Sequence, residues 1–300
     1  MLQTISQRLS AVAAGLADDP RQAPRLARQL GLNALLFDVT SPALSIPELS
    51  VSGRREFRQI LSASAQRLVG LQLDLGPRGL SPGADTDREI ARLHRAMEAA
   101  AGLEAPMVCV DLGPLPAPTI EHTPRPAIPS STAGLIIVPE PKPAAASQPA
   151  PAPDPAFVSH LQAALSEIGS HADRYSVMLA FSSSLAGFAS LSQALAAVRC
   201  PWFGVDLDPL ALLRDDWDMH QVFSAVGPLI RHFRARDGVR GAEKRIKPAS
   251  IGKGDIIWPE MLSLLDEAAY QGFITLDPLD PSNRRPAIAT AAEYLRALGK

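Results

Sequence analysis

The sequence predicts one α/β domain built on a parallel sheet, and three observations support this fold class. The 300 residues are 46% hydrophobic and 20% charged, so the chain can bury a large core. Short apolar runs alternate with amphipathic stretches, which is typical of repeated strand–helix units. The apolar runs are continuous, as expected for parallel strands covered on both faces. The sheet is therefore either closed into a barrel or doubly wound.

Eight segments are predicted as strands, and eight strand–helix units fit a chain of this length. The first lies near Leu9–Ala14. The other seven are Asn33–Asp38, Leu68–Asp74, Met107–Asp111, Ser176–Ala180, Phe203–Asp208, Ile230–Ala235 and Phe273–Asp277.

Helical periodicity occurs between these strands. In Asp85–Ala101 the apolar residues recur at intervals of three and four, which predicts an amphipathic helix. Trp258–Ala269 shows the same pattern, with a proline in the first turn, where it is tolerated. Pro286–Leu298 closes the chain with a third such helix.

One segment breaks the alternation. Pro114–Pro155 contains 13 of the 28 prolines and many alanines and serines, a composition that predicts an extended or disordered insertion after the fourth strand. In a barrel this segment would leave the C-terminal face, where active sites lie. The absence of regular structure in so long a segment favours a passive insertion. The alternative is a lid or docking arm, whose apolar stretch Gly134–Val138 would dock on the barrel.

Bulk properties exclude several classes of protein. The net charge of -2 argues against nucleic-acid binding, which needs clustered Lys and Arg. No apolar run is long enough to span a membrane, and the N-terminus lacks the pattern of a signal peptide. Cys109 and Cys200 lie in apolar surroundings and predict no disulfide framework, so we expect a cytoplasmic location.

Aspartates end five predicted strands. Since the C-terminal ends of barrel strands meet at one mouth, these carboxylates are candidates for catalysis or metal binding. The alternative for each is helix capping or a turn. They are Asp38, Asp74, Asp111, Asp208 and Asp277.

The seventh strand contributes cations. At the period of two residues of a strand, His232, Arg234 and Arg236 share one face. These arginines would bind a phosphate or carboxylate, or would form a structural ion-pair network among Arg234, Asp208 and Asp277. Further along, the loop around Lys253 precedes a helix and would either bind an anion or form a simple turn.

Seven segments of the sequence together resemble the sugar phosphate isomerase/epimerase family, whose members have xylose isomerase-like barrels. The resemblance selects a single (β/α)8 TIM barrel with a Pro/Ala-rich insertion after strand 4. It covers nearly the whole chain apart from that insertion. The segments that carry it are Leu30–Asp38, Ser52–Phe57, Val108–Pro114, Phe203–Leu213, Arg234–Gly238, Gly252–Trp258 and Gly272–Asp277.

The resemblance implies a divalent metal, with Mn, Mg or Zn possible, held by Glu, Asp, His and Glu on strands five to eight. The matching positions here are Ser182, Asp208, Arg234 and Asp277, and a strand-four position that is often His is Asp111. Thus Asp208 and Asp277 remain as metal ligands, whereas a guanidinium has no lone pair to offer. We hypothesise that Arg234 takes the place of the metal, paired with Asp208 and Asp277.

Two functions follow from the resemblance. The first is isomerisation or epimerisation of a small sugar or sugar phosphate. Asp208, Asp277 and Asp111 would then perform acid/base catalysis. The substrate-binding residues would be His232, Arg234, Arg236, Lys253, Asp38 and Asp74. The second is a catalytically impaired barrel that binds a polyol, a phosphate or a protein partner without metal. The related apurinic-site endonucleases need many His ligands, and only His232 lies in a predicted strand, which argues against that activity.

Overall fold

Eight parallel strands form a closed barrel in the computed structural model, which describes residues 4–118, 153–215, 218–241, 245–279 and 283–299. Each strand pairs with the next, and the first pairs with the last. The predicted closed barrel is confirmed. The strands are β1 (Leu9–Val12), β2 (Ala34–Asp38), β3 (Arg67–Asp74), β4 (Met107–Asp111), β5 (Met178–Ser182), β6 (Phe203–Leu207), β7 (Ile230–Ala235) and β8 (Ile274–Leu276).

Helices surround the barrel. They are α1 (Ala23–Gln29), α2 (Val51–Ala63), α3 (Thr86–Leu103), α4 (Pro155–Tyr175), α5 (Phe188–Val198), α6 (Pro209–Asp215), α7 (Met219–Val226), α8 (Trp258–Glu267) and α9 (Arg284–Leu298). A single helical turn, Ile5–Arg8, precedes β1, and three 3-10 turns occupy Ala13–Gly15, Ile46–Glu48 and Gly227–Leu229. Two hairpins pair Thr40–Ser41 with Leu44–Ser45 and Asp237–Arg240 with Ile246–Ala249. Within the described ranges, no helix has the length and apolar character needed to cross a membrane.

The predicted fifth strand, Ser176–Ala180, is displaced by two residues. Ser176 has φ +52° and ψ +42° and ends α4 in the left-handed conformation, so the extended backbone of β5 begins only at Met178. The predicted insertion lies largely outside the described residues, between positions 118 and 153. Its last residue, Pro155, already occupies the first turn of α4, and the Asp154 carboxylate caps that helix.

The inside of the barrel is apolar on one side and polar on the other. Residues that alternate along strands β1 to β5 form a small apolar cluster there. It consists of Val12, Ala34, Leu36, Val69, Cys109 and Ala180. On β1, β6, β7 and β8 the buried residues include polar ones instead: Ser10, Asp206, His232, Arg234 and Thr275. Buried polar groups must be hydrogen-bonded to be tolerated, so this side is expected to contain a bonded network.

Candidate functional site

A cavity of about 550 Å³ opens at the carboxyl end of the barrel strands. All five strand-end aspartates predicted from the sequence line it, together with Arg234, Arg236 and Ser182. Parallel strands of a closed barrel end at the same face, which explains why residues far apart in sequence meet here. The geometry brings Asp38, Asp74, Asp111, Asp208 and Asp277 together.

Two arginines bind Asp277. Its Oδ2 accepts hydrogen bonds from Arg234 Nη1 at 2.9 Å and Arg236 Nε at 3.0 Å, and Arg236 Nη2 also donates to it. Arg236 Nη1 donates to Asp208 Oδ2 at 2.8 Å. The expected pairing of Arg234 with Asp277 is present, but Asp208 pairs with Arg236. Arg236 lies two residues further along the chain than Arg234, towards the mouth of the barrel.

The second carboxylate partner of Arg234 is Asp206, which the sequence analysis did not select. Arg234 Nε donates to Asp206 Oδ2 at 2.7 Å, and Asp206 lies inside β6 with its side chain fully buried. Asp206 lies two residues before Asp208 and therefore shares one face of its strand with it. The same two-residue period groups His232 with Arg234, and this period is the sequence signal that points to Asp206. Burial alone would raise the pKa of Asp206, but the charges of Arg234 and His232 outweigh burial and hold it well below its usual range.

A chain of hydrogen bonds continues below Asp206. His232 Nδ1 lies 2.6 Å from Asp206 Oδ1, and His232 Nε2 lies 2.7 Å from Thr275 Oγ1. Thr275 Oγ1 is 2.8 Å from Ser10 Oγ. An ionised carboxylate only accepts, so Nδ1 donates to Asp206. His232 is fully buried and does not line the cavity. The geometry therefore does not favour the prediction that His232 contacts the substrate directly.

The remaining strand-end aspartates have neutral donors. Asp38 Oδ1 accepts from Gln72 Nε2 at 2.7 Å, and Gln72 is a further lining residue that the sequence analysis missed. Burial raises the pKa of Asp38 above its ordinary value. Backbone amides hold the other two carboxylates: Gly76 N donates to Asp74, and Gly113 N and Ser184 N donate to Asp111.

Lys253 is exposed and does not line the cavity. The loop that contains it does surround an anion, but the anion is the protein's own Asp237. Backbone amides of Gly252 and Gly254 donate to Asp237 Oδ2 at 2.8 and 3.3 Å, and Trp258 Nε1 donates to the same oxygen at 3.0 Å. Asp237 thus organises the loop, and Lys253 lies outside the cavity in which a contact with substrate was expected.

The positions expected to hold a divalent metal do not fit one. Asp277 already carries two guanidinium groups, and Asp208 carries one. Burial alone would lower the pKa of Arg234, but Asp206 and Asp277 outweigh it and raise the pKa well above its ordinary value. Arg234 therefore stays charged and offers no lone pair to a metal.

A second group of potential metal ligands lies deeper in the barrel. One ligand atom from each of Cys109, Asp206 and His232 lies within 4.8 Å of the others, and all three residues are buried. These atoms are already engaged, because Asp206 binds His232 and Arg234, and His232 binds Thr275. Burial also raises the pKa of the Cys109 thiol well above its usual value, which disfavours the thiolate that a metal requires. This donor set does not fit a metal ion either.

Comparison with known proteins agrees with the closed-barrel fold. The family model described as "xylose isomerase-like TIM barrel" matches residues 24–298. A comparison with curated proteins finds no significant match.

Solved structures share the fold at low sequence identity. A xylose isomerase domain protein from Planctomyces limnophilus is 16% identical, with 97% of this chain and 96% of that chain covered and a TM-score of 0.73. A xylose isomerase-like TIM barrel protein from Mycobacterium smegmatis in complex with magnesium is 14% identical (coverage 99% and 98%, TM-score 0.69). D-psicose 3-epimerase from Clostridium cellulolyticum H10, solved with D-tagatose, is 12% identical (coverage 98% and 99%, TM-score 0.70).

Proposed function

This chain belongs to the xylose isomerase-like TIM barrel family, and on that premise we propose that it binds a small sugar at the mouth of the barrel without a divalent metal. The size and lining of the cavity support the proposal. Its volume of about 550 Å³ is in the usual range for small-molecule sites. Carboxylates accept from sugar hydroxyls and guanidinium groups donate to them, so its walls suit a polyhydroxylated ligand.

A neutral sugar fits this cavity better than a sugar phosphate. Six aspartates but only four arginines stand among its described lining residues. Three of those arginines, Arg214, Arg234 and Arg236, already form ion pairs with carboxylates. A phosphate dianion would meet an excess of negative charge. We therefore expect a neutral ketose to bind more tightly than its 6-phosphate.

Binding is tested by saturation-transfer NMR with D-psicose, D-tagatose, D-fructose and D-fructose 6-phosphate, in EDTA and again with Mn²⁺. Ala211→Phe fills the cavity, since Ala211 lines it, and should abolish transfer to the sugar. The matched control is Ala196→Phe, on the exposed face of α5, which should bind normally. Binding that requires Mn²⁺, equal binding to Ala211→Phe, or no binding of any ketose would contradict the proposal.

Isomerisation or epimerisation of the bound sugar is the second candidate function. The acid/base roles predicted for Asp208 and Asp277 are weakened by their arginine partners. Burial would raise the pKa of Asp277, but Arg236 and Arg234 outweigh it and lower the pKa, which makes this carboxylate a weak base. The observation that favours catalysis is the position of Asp38, which lines the same cavity and accepts a hydrogen bond from the neutral Gln72 amide rather than from an arginine.

A further inference from the structure

Three side chains at the mouth form one connected unit. Gln72 Nε2 donates to Asp38 Oδ1 at 2.7 Å, and Gln72 Oε1 accepts from Arg234 Nη1 at 3.0 Å. The orientation of the amide follows from its neighbours, because a carboxylate only accepts and a guanidinium only donates. Gln72 therefore holds Asp38 and Arg234 on its two sides.

Each of these two residues keeps one polar atom for a ligand. Arg234 Nε and Nη1 are bonded to Asp206, Asp277 and Gln72, whereas Nη2 has no acceptor among the described residues. Asp38 Oδ2 likewise has no donor in the described part of the chain. Both side chains line the cavity. A ligand lying over Gln72 would meet one fixed donor and one carboxylate oxygen.

We propose that Arg234 and Asp38 form a metal-free catalytic pair for aldose–ketose isomerisation, in which Arg234 Nη2 binds the carbonyl oxygen of a ketose and Asp38 removes the proton from the adjacent carbon. The proposal rests on the sugar binding proposed above. It makes Arg234 the electrophile and Gln72 a positioning residue that sets the geometry of both catalytic groups.

The step balances without another reactant. The Asp38 carboxylate takes the proton from C1 of the ketose, and the C–H electron pair becomes the C1=C2 bond. The C2=O electron pair moves onto O2, where the guanidinium stabilises the negative charge. The proton on O1 then passes to O2, the C1=O bond forms, and Asp38 returns its proton to C2. No group is oxidised or reduced overall except the exchanged carbonyl and carbinol carbons of the sugar itself.

A single base favours isomerisation over epimerisation. Because one carboxyl both removes and returns the proton, the transfer occurs on one face of the enediolate. Inversion at C3 needs a second acid on the opposite face. The raised pKa of Asp38, due mainly to burial, makes it a stronger base than an exposed aspartate. Nearby Asp277 raises this pKa further, whereas Gln72, Arg234 and Arg284 lower it.

Deuterium exchange into D-fructose tests the pair. The full chain is incubated with D-fructose in D2O containing EDTA, and NMR locates the deuterium. We expect incorporation at C1 above the protein-free rate, with aldose formed. Asp38→Asn should lower the exchange rate by about 100-fold or more while binding of the sugar persists. The matched control, Asp87→Asn, changes an exposed aspartate in the first turn of α3 and should exchange normally.

The outcomes separate the two proposals. Bound sugar with neither exchange nor aldose formation, exchange at C3 alone, or activity abolished by EDTA overturns the catalytic pair and leaves metal-free sugar binding intact where that is observed. Absence of sugar binding overturns the proposed function first.

The pH profile of the Gln72→Leu variant tests whether Gln72 takes part in the mechanism, because a purely structural role of Gln72 would leave the profile unshifted. Gln72 lowers the pKa of Asp38, so its loss should move the acidic limb of the exchange–pH profile to higher pH. An unshifted limb would remove Gln72 from the mechanism.

Discussion

Asp206 stabilises the buried cation of the site. It is 2% exposed and contacts both Arg234 and His232. Removing one partner of a buried ion pair typically costs about 3–5 kcal/mol, because the other charge stays buried without compensation. At the residue scale, therefore, the stability of the barrel and the charge of the cavity depend on the same carboxylate.

We predict that Asp206→Asn lowers the free energy of unfolding at pH 7 by about 3–5 kcal/mol, measured by urea denaturation. The control is Asp19→Asn, which breaks the exposed pair between Asp19 and Arg21 and should cost less than about 1 kcal/mol. Equal losses in the two variants would contradict the role assigned to Asp206.

The pH dependence of that loss has a defined sign. The pKa of Asp206 is lower in the folded protein than its ordinary value, so its contribution to stability is present above about pH 4. That contribution is lost as the pH falls through the folded-state pKa. The difference in stability between the wild type and Asp206→Asn should therefore shrink on acidification below about pH 4. A difference in stability that grows as the pH falls below about 4 would contradict this prediction.

The sequence revealed the strand-end aspartates but not Asp206. In Phe203–Leu207 the aspartate is surrounded by apolar residues, and the run resembles any buried strand. Asp208, one residue after β6, was the more conspicuous carboxylate. Which of the two meets Arg234 depends on the stagger between β6 and β7, where Asp206 pairs in register with His232 after an irregularity at Val205. Neither strand's own sequence encodes that stagger.

At the scale of elements, the connection from β7 to α8 is organised by one carboxylate. Asp237 starts a hairpin strand, and its oxygens accept from the Gly252, Gly254 and Trp258 donors. Gly254 is required there, since a Cβ at this position would lie 2.1 Å from Asp237 Oδ1. The sequence of this glycine-rich loop before a helix predicts either a simple turn or a site for an external anion. In the structure, the backbone amides of this loop donate their hydrogen bonds to the carboxylate of Asp237 instead.

The backbone amide of Ile256 also donates to Asp237, at 3.4 Å from Oδ1. We predict that Asp237→Asn accelerates hydrogen exchange at the amides of Gly252, Gly254 and Ile256 and destabilises the protein by about 2 kcal/mol, because a buried amide donor then faces other donors. Hydrogen-exchange mass spectrometry and urea denaturation measure these effects. Lys253→Ala, in the same loop but exposed, should leave both unchanged. A large effect of Lys253→Ala would show that the lysine has a structural contact of its own.

For the whole molecule, the barrel was predictable because eight apolar runs at regular spacing admit few topologies, and the family resemblance selected the closed one. The pairing of charges at its mouth was not predictable to the same degree. Side chains from β2, β3, β6, β7 and β8 meet only after closure. Arg234 was correctly placed next to Asp277, whereas its contacts with Asp206 and Gln72 required the three-dimensional arrangement.

The charges at the mouth of the closed barrel lead to a prediction about the effect of Mn²⁺ on thermal stability. A ligand that binds only the folded state stabilises it in proportion to the logarithm of its concentration. Since arginines occupy Asp208 and Asp277, we expect the wild-type Tm to be the same in EDTA and in millimolar Mn²⁺, as measured by differential scanning calorimetry. A Mn²⁺-dependent rise in the wild-type Tm that disappears in Asp277→Asn would overturn the metal-free site.

The triple variant S182E/R234H/R236A supplies the converse test. It removes both guanidinium groups that pair with Asp208 and Asp277 and adds a carboxylate and an imidazole, so the two native aspartates become available to a metal. At a Mn²⁺ concentration 100 times the Kd, the stabilisation would be about 2.7 kcal/mol. The single variant S182E is the matched control and should stay insensitive to Mn²⁺, because Arg234 and Arg236 remain. If S182E responded as strongly as the triple variant, the two arginines would not be the groups that keep metal out. The expected contrast between the two variants therefore attributes the exclusion of metal to the two guanidinium groups.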